Sequence, residues 1–153
     1  MTRKPARVSA ALLATLVALV SLTTACSGDE GADAAHELQM ASLAEMPAEV
    51  QTAPVAVQQA YQYAVANPGV LQNIPCYCGC GAMGHTSNYM CYVAGQNADG
   101  TVQFDPHALG CSICVDITQD AMRLSREGRS VPDIRAYVDA TYSRFGPSNM
   151  TQP

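Results

Sequence analysis

The sequence has no tryptophan, only 2 Phe beside 7 Tyr, and 8 Lys+Arg against 13 Asp+Glu in 153 residues. After Lys4 there is no lysine, and between Cys26 and Met122 there is neither lysine nor arginine. Proteins that hold phosphate backbones do so with clustered basic side chains, so this scarcity excludes nucleic acid as a partner. It also constrains cysteine chemistry. A reactive thiol needs a nearby cation, a helix N-terminus or a metal to lower its pKa, and the lysines and arginines that would supply the first are missing where the cysteines lie. No apolar run reaches the ~20 residues that a membrane-spanning helix needs; the longest extends from Val8 to Val20.

That run follows Arg3, Lys4 and Arg7 and leads into Leu22-Thr-Thr-Ala-Cys26, the layout of a secretory signal with a lipoprotein-type cleavage site over residues 1–25. Cleavage there makes Cys26 a lipid-attachment residue, and two or three acyl chains suffice for stable anchoring. The mature chain then carries five Arg against thirteen Asp and Glu, a formal charge of −8. Its expected place is outside the cytoplasmic membrane, anchored to it by lipid. Residues 26–49 begin with a small, acidic, glycine-containing stretch that buries too little apolar surface to fold, and the whole segment is expected to act as a tether. His36, Met40 and Met46 within it are taken as surface and packing residues. The folded domain is expected over 50–147, with a tail at 148–153.

The domain reads as mainly α. Pro54 suits a helix start, Val55–Ala66 is rich in Ala, Gln, Val and Tyr, and Asn67-Pro68-Gly69 stops it. From residue 70 to 90, Pro75, Gly79, Gly81 and Gly84 break regular structure, so the cysteines there belong to a loop. Cys91 to Phe104 suits a short helix or a small hairpin turning at Asp99-Gly100. Ile113, Ile117, Ala121 and Leu124 recur at helical spacing from about Cys111 to Glu127, before Gly128. A third helix starts at Ser130-Val-Pro-Asp133, with Ile134, Tyr137, Val138, Thr141 and Phe145 expected on its buried face.

The chemistry is concentrated in Pro75-Cys76-Tyr77-Cys78-Gly79-Cys80-Gly81, followed by Met83, His85, Met90 and Cys91, with His107, Cys111 and Cys114 beyond. Alternate residues of a looped segment can turn their sulfurs to one centre, and Cys111 and Cys114 share a face of one helical turn. Donors of this kind select soft ions, Cu(I) first and Zn(II) second. Cys76, Cys78, Cys80, Cys91, Cys111 and Cys114 are therefore the expected ligands, with His85 assisting. His107 could also complete such a site but reads more readily as a surface or capping residue, and Met83 and Met90 are near enough in sequence to join it. Met122 is core, because eleven helical residues at ~1.5 Å each put it about 16 Å from Cys111. Cys111-Ser-Ile-Cys114 precedes Val115 rather than His, so it is no c-type haem attachment site, and a thioredoxin-like βαβ setting is missing. Beside storage, buffering or delivery of a soft metal stand two alternatives. One is a thiol–disulfide oxidoreductase using Cys76 to Cys80 with Cys111 and Cys114; the other is a structural or partner-binding lipoprotein stapled by disulfides.

The string Pro75-Cys-Tyr-Cys-Gly-Cys80-Gly, then Met83-Gly-His85, Cys91, Asp99-Gly100, His107 and Gly110-Cys111-Ser-Ile-Cys114-Val-Asp116, resembles the exported (lipo)proteins named for a PCYCGC motif. The resemblance runs from about Val50 to Pro147. It implies a helical domain and, for most members, no assigned activity. Some relatives place selenocysteine in the motif, which suits redox work as well as soft-metal binding.

Overall fold

The computed structural model describes residues 36–150. The expected signal segment, Cys26 and the first part of the expected tether lie outside the described residues, as do residues 151–153 of the expected tail. Five α-helices are described: α1 (Ala48–Gln51), α2 (Val55–Ala66), α3 (Pro68–Leu71), α4 (Ser112–Arg126) and α5 (Val131–Tyr142). A two-stranded antiparallel hairpin, β1 (Val93–Gln96) and β2 (Val102–Phe104), stands between α3 and α4. The domain is mainly α, as its sequence implies. No described helix is long and apolar enough to cross a membrane.

The sequence signals account for the element boundaries. Pro54 caps α2 one residue before its first helical position, and Asn67 closes it. Between the strands, Gly100 sits at φ +84°, in the left-handed region that suits glycine, and the Asp99 carboxylate accepts from the Thr101 amide at 2.9 Å. Gly128, at φ +73°, ends α4. The Ser130 hydroxyl accepts from the Asp133 amide and so caps α5.

With no tryptophan available, tyrosines fill the centre. Tyr61, Tyr63 and Tyr92 are fully buried. Each such ring stabilises by roughly 1.5–3 kcal/mol through burial, provided its hydroxyl finds a partner. Tyr61 donates to the Asp105 carbonyl at 2.7 Å, Tyr63 pairs with Ser125 at 2.8 Å, and Tyr61 meets Tyr92 edge to face at 5.0 Å. Helix α4 packs against both α2 and α5 and contributes Ile117, Ala121, Met122 and Leu124 to the core. Met122 is a core residue, as its distance along α4 requires.

Three expectations need correction. The chain is already packed at His36, whose amide donates to the Arg126 carbonyl at 2.9 Å, and Met46 and Val50 are buried. The second half of the expected tether, 36–49, thus belongs to the domain, because Leu38, Ala41, Leu43 and Met46 give it enough apolar surface to bury. At the other end Asn149, expected in a tail, is tied to the cysteine loop. On α5 the buried face is Ile134, Val138 and Tyr142, whereas Tyr137 and Phe145 are exposed. The helix stops at Tyr142, so Phe145 falls in the following 3₁₀ turn, while the Tyr142 hydroxyl donates to Asp120 of α4 at 2.8 Å.

Candidate metal centre

The motif loop leaves α3 and is folded by two glycines. Gly79 at φ +86° and Gly84 at φ +90° bracket a single 3₁₀ turn, Cys80–Met83. A side chain at either position would strain the backbone, so the wrapping of Cys76, Cys78 and Cys80 round one point depends on them. Cys91 ends a second 3₁₀ turn, Tyr89–Cys91, just before β1. Cys111 is the N-cap residue of α4, and Cys114 lies one turn inside it. Residues far apart in sequence thus converge on one end of α4.

The six cysteines among the described residues are free thiols; Cys76, Cys80, Cys91 and Cys114 are buried and Cys78 and Cys111 half-buried. Their sulfurs form one connected group. Cys114 Sγ lies 2.9 Å from Cys111, 3.3 Å from Cys91, 3.5 Å from Cys76 and 3.6 Å from Cys78. Cys76 and Cys78 are 3.4 Å apart, and Cys80 reaches Cys91 at 3.9 Å. A disulfide bond would be ~2.05 Å long, whereas sulfurs bound at ~2.3 Å round one tetrahedral metal lie about 3.8 Å apart. Most of these separations are close to the second spacing. Four sets of side chains have donor atoms mutually within 4.8 Å: Cys78, His107, Cys111 and Cys114; Cys76, Cys78 and Cys80; Cys76, Cys91 and Cys114; Cys80, Cys91 and His107. The chemistry of these donors, soft sulfur with one imidazole, fits a thiophilic ion.

The histidines exchange the roles expected of them. His107 presents Nε2 to Cys78 Sγ at 3.4 Å and belongs to two of the donor sets. His85 belongs to none of these sets. Its Nε2 lies 3.5 Å from Asp105 Oδ2, its ring packs edge-on against His107 at 5.3 Å, and its buried Nδ1 has no hydrogen-bond partner. Asp105 reaches both, since its Oδ1 accepts from the His107 amide at 2.8 Å. The methionines stand outside the group: Met83 is exposed, and Met90 Sδ accepts from the amide and hydroxyl of Thr86.

The thiols do not share one pKa. Cys111 is lowered to about 5, first by the hydrogen bond from Cys114. Cys76 is also lowered well below the usual thiol range, by bonds from Cys114 and Cys91 that outweigh its burial. Cys114 is pushed up because its proton is held by bonds to Cys111, then Cys76 and Cys91. Burial raises Cys78 and Cys80, and the negative charge on Cys76 raises them further. The shifts run in opposite directions across one hydrogen-bonded group, and a cation that binds its sulfurs displaces the protons they share.

Several residues that hold the site carry no strong signature in the sequence. Asn149 accepts from the Cys76 amide at 2.7 Å, its own amide donates to the Cys76 carbonyl at 3.1 Å, and its Nδ2 donates to Cys80 Sγ at 3.5 Å. The Cys114 carbonyl accepts from Tyr92 at 2.8 Å and from Asn88 at 3.2 Å, and Thr118 donates to Asn88 Oδ1 at 2.7 Å. Tyr77 donates to Asp139 of α5 at 2.5 Å and so ties the motif to that helix. Only Tyr77, inside the motif, had a signal that could have pointed to it.

No curated protein and no solved structure matches this chain. A family model described as a protein of unknown function with a PCYCGC motif matches residues 12–153. With that match over nearly its whole length, and with Pro75 to Gly81 forming the loop that gathers the sulfurs, the chain belongs to the PCYCGC-motif family.

Proposed function

We propose that this protein binds a soft metal ion, Cu(I) in the first place and Zn(II) in the second, through its clustered cysteines, and that it stores, buffers or delivers that ion outside the cytoplasmic membrane. The observation that carries this reading is the single connected group of six sulfurs with His107 Nε2 beside it. Charge supports it: no lysine or arginine occurs from Cys26 to Met122, so a cation is the natural counter-charge for thiolates there. Membrane attachment through lipid on Cys26 rests on the layout of residues 1–26. In this reading Cys76, Cys78, Cys80, Cys91, Cys111 and Cys114 are the ligands, joined by His107; His85, through Asp105, orients the loop that carries His107. A metal-handling or redox protein is the expected partner. The test is elemental analysis of the reduced chain after anaerobic exposure to Cu(I) and gel filtration. Retained copper that a thiol-specific alkylating agent cannot displace is expected, and a metal-free protein would overturn the reading.

One observation favours a second reading, that of a thiol–disulfide oxidoreductase. Cys111 caps a helix N-terminus, is half-buried, and is lowered to about 5 with Cys114 at 2.9 Å. Its thiolate would attack a partner's disulfide, release one partner thiolate and form a mixed disulfide. Cys114 would then displace the second partner sulfur, leaving this protein oxidised and its partner reduced. Reversible exchange with glutathione at a defined potential, unchanged by chelators, would favour this reading over metal binding.

A further inference from the structure

Resting on the soft-metal reading, the geometry points to a two-metal centre in which the Cys114 thiolate bridges both ions. A tetrahedral ion takes four donors, and seven are gathered here. Among the described residues, the four-donor set Cys78, His107, Cys111 and Cys114 and the three-sulfur set Cys76, Cys91 and Cys114 have only Cys114 in common. No set contains both Cys111 and Cys91. An ion placed in either set therefore leaves the other set's thiols free to take a second.

Cys114 has the position a bridge needs. Four sulfurs lie within 3.6 Å of its Sγ, two of them exclusive to the first set and two exclusive to the second. Its sulfur, once deprotonated, has lone pairs enough for two metals. The backbone behind it is fixed, because Tyr92 and Asn88 both donate to the Cys114 carbonyl. The two halves differ in kind: a mixed nitrogen and sulfur set suits tetrahedral coordination, whereas three sulfurs suit Cu(I), with Cys80 3.9 Å from Cys91 standing behind them. Charge favours two ions as well. Five cysteines gathered at one helix end, in a segment without lysine or arginine, become thiolates only when they bind metal, and their charge is then poorly compensated by one monovalent cation and better by two. The first ion to bind fixes the shared Cys114 sulfur and the loops round it, so the second binds more readily.

The test is Cu(I) stoichiometry of the full chain carrying Cys26→Ser, which leaves only the six clustered thiols, reduced and loaded anaerobically against a competing Cu(I) chelator. Native mass spectrometry is expected to show two or more ions per chain with little one-ion species, and X-ray absorption a metal–metal scattering shell. Of the two sets that share Cys114, Cys111→Ser removes a donor from the first and Cys91→Ser one from the second, and each is expected to lose one ion and the metal–metal shell. Cys114→Ser removes the bridge and is expected to abolish the shell. Because Cys114 is buried and its loss can disturb folding, the Cys111 and Cys91 variants decide the matter. Saturation at one ion, or two ions with the shell intact in both variants, would overturn the bridge and leave the soft-metal reading standing. A chain that holds no copper at all would overturn both.

Discussion

Cys114 and Asn149 make the residue-scale case, one by chemistry and one by position. Asn149 gives two backbone hydrogen bonds' worth of restraint to Cys76 and a third contact to Cys80. Truncation to alanine leaves the Cys76 amide without its side-chain acceptor, which costs about 1–3 kcal/mol when the group is buried. Asn149→Ala is expected to lower the unfolding free energy in chemical denaturation by that amount and to weaken copper retention, while Asn73→Ala, a change at a turn residue whose side chain bonds back to the Gly69 carbonyl of α3, leaves copper retention alone. Equal losses in the two variants would contradict a specific role for Asn149. The cysteines were all legible in the sequence, because residue type and crowding announce thiol chemistry. Asn149 was not, since only the folded chain brings residue 149 against residue 76. The roles of the histidines were also hidden: which imidazole meets a sulfur is set by Asp105, whose two oxygens reach His85 and the His107 backbone.

At the scale of elements, α4 organises the site, offering Cys111 at its cap and Cys114 one turn later while its other face packs on α2 and α5. The polar bridge Tyr92–Cys114–Asn88–Thr118 holds that helix start against the segment before β1. Thr118→Val keeps the shape and removes the donor to Asn88 Oδ1, leaving a buried acceptor unpaired. A loss of about 1–3 kcal/mol is expected in urea unfolding of the apo chain. Ser130→Ala tests α5 independently. It removes a cap worth ~1 kcal/mol and is expected to leave the metal stoichiometry unchanged. Helices α2, α4 and α5 were readable from their caps and apolar spacing, and the hairpin from Asp99-Gly100 as one of two options. The inward face of α5 differs from the expected one because spacing alone shows neither where a helix ends nor which ring a guanidinium covers at the surface. Phe145 lies past that end with Arg144 over its ring at 4.8 Å, and Arg123 covers Tyr137 at 5.3 Å, so both aromatics find cationic company at the surface.

For the whole molecule, the missing tryptophan and missing basic residues mark two features of one core: its buried tyrosines and, continuous with them, the sulfur group. The core predicts a pH dependence. Tyr77 is pushed up to about 12, first by burial and next by its bond to Asp139, from about 10 in an unfolded chain. A raised folded pKa contributes stability that is complete below pH 10 and is lost as the pH rises through about 12. The difference in denaturation midpoint between the natural chain and Tyr77→Phe should thus be constant below pH 10 and close above it. A difference that persists beyond pH 12 would contradict this. The sulfur group predicts that binding adds stability by mass action, about 4 kcal/mol at a free-ion concentration a thousand times Kd. The most direct measurement is a count of alkylatable thiols by mass spectrometry on the Cys26→Ser chain in three states: reduced and metal-free, Cu(I)-loaded, and loaded then stripped with a Cu(I) chelator. A soft-metal centre predicts six reactive thiols, then few or none, then six again. Six thiols that react equally with and without Cu(I), or thiols that appear only after a disulfide reductant, would contradict it.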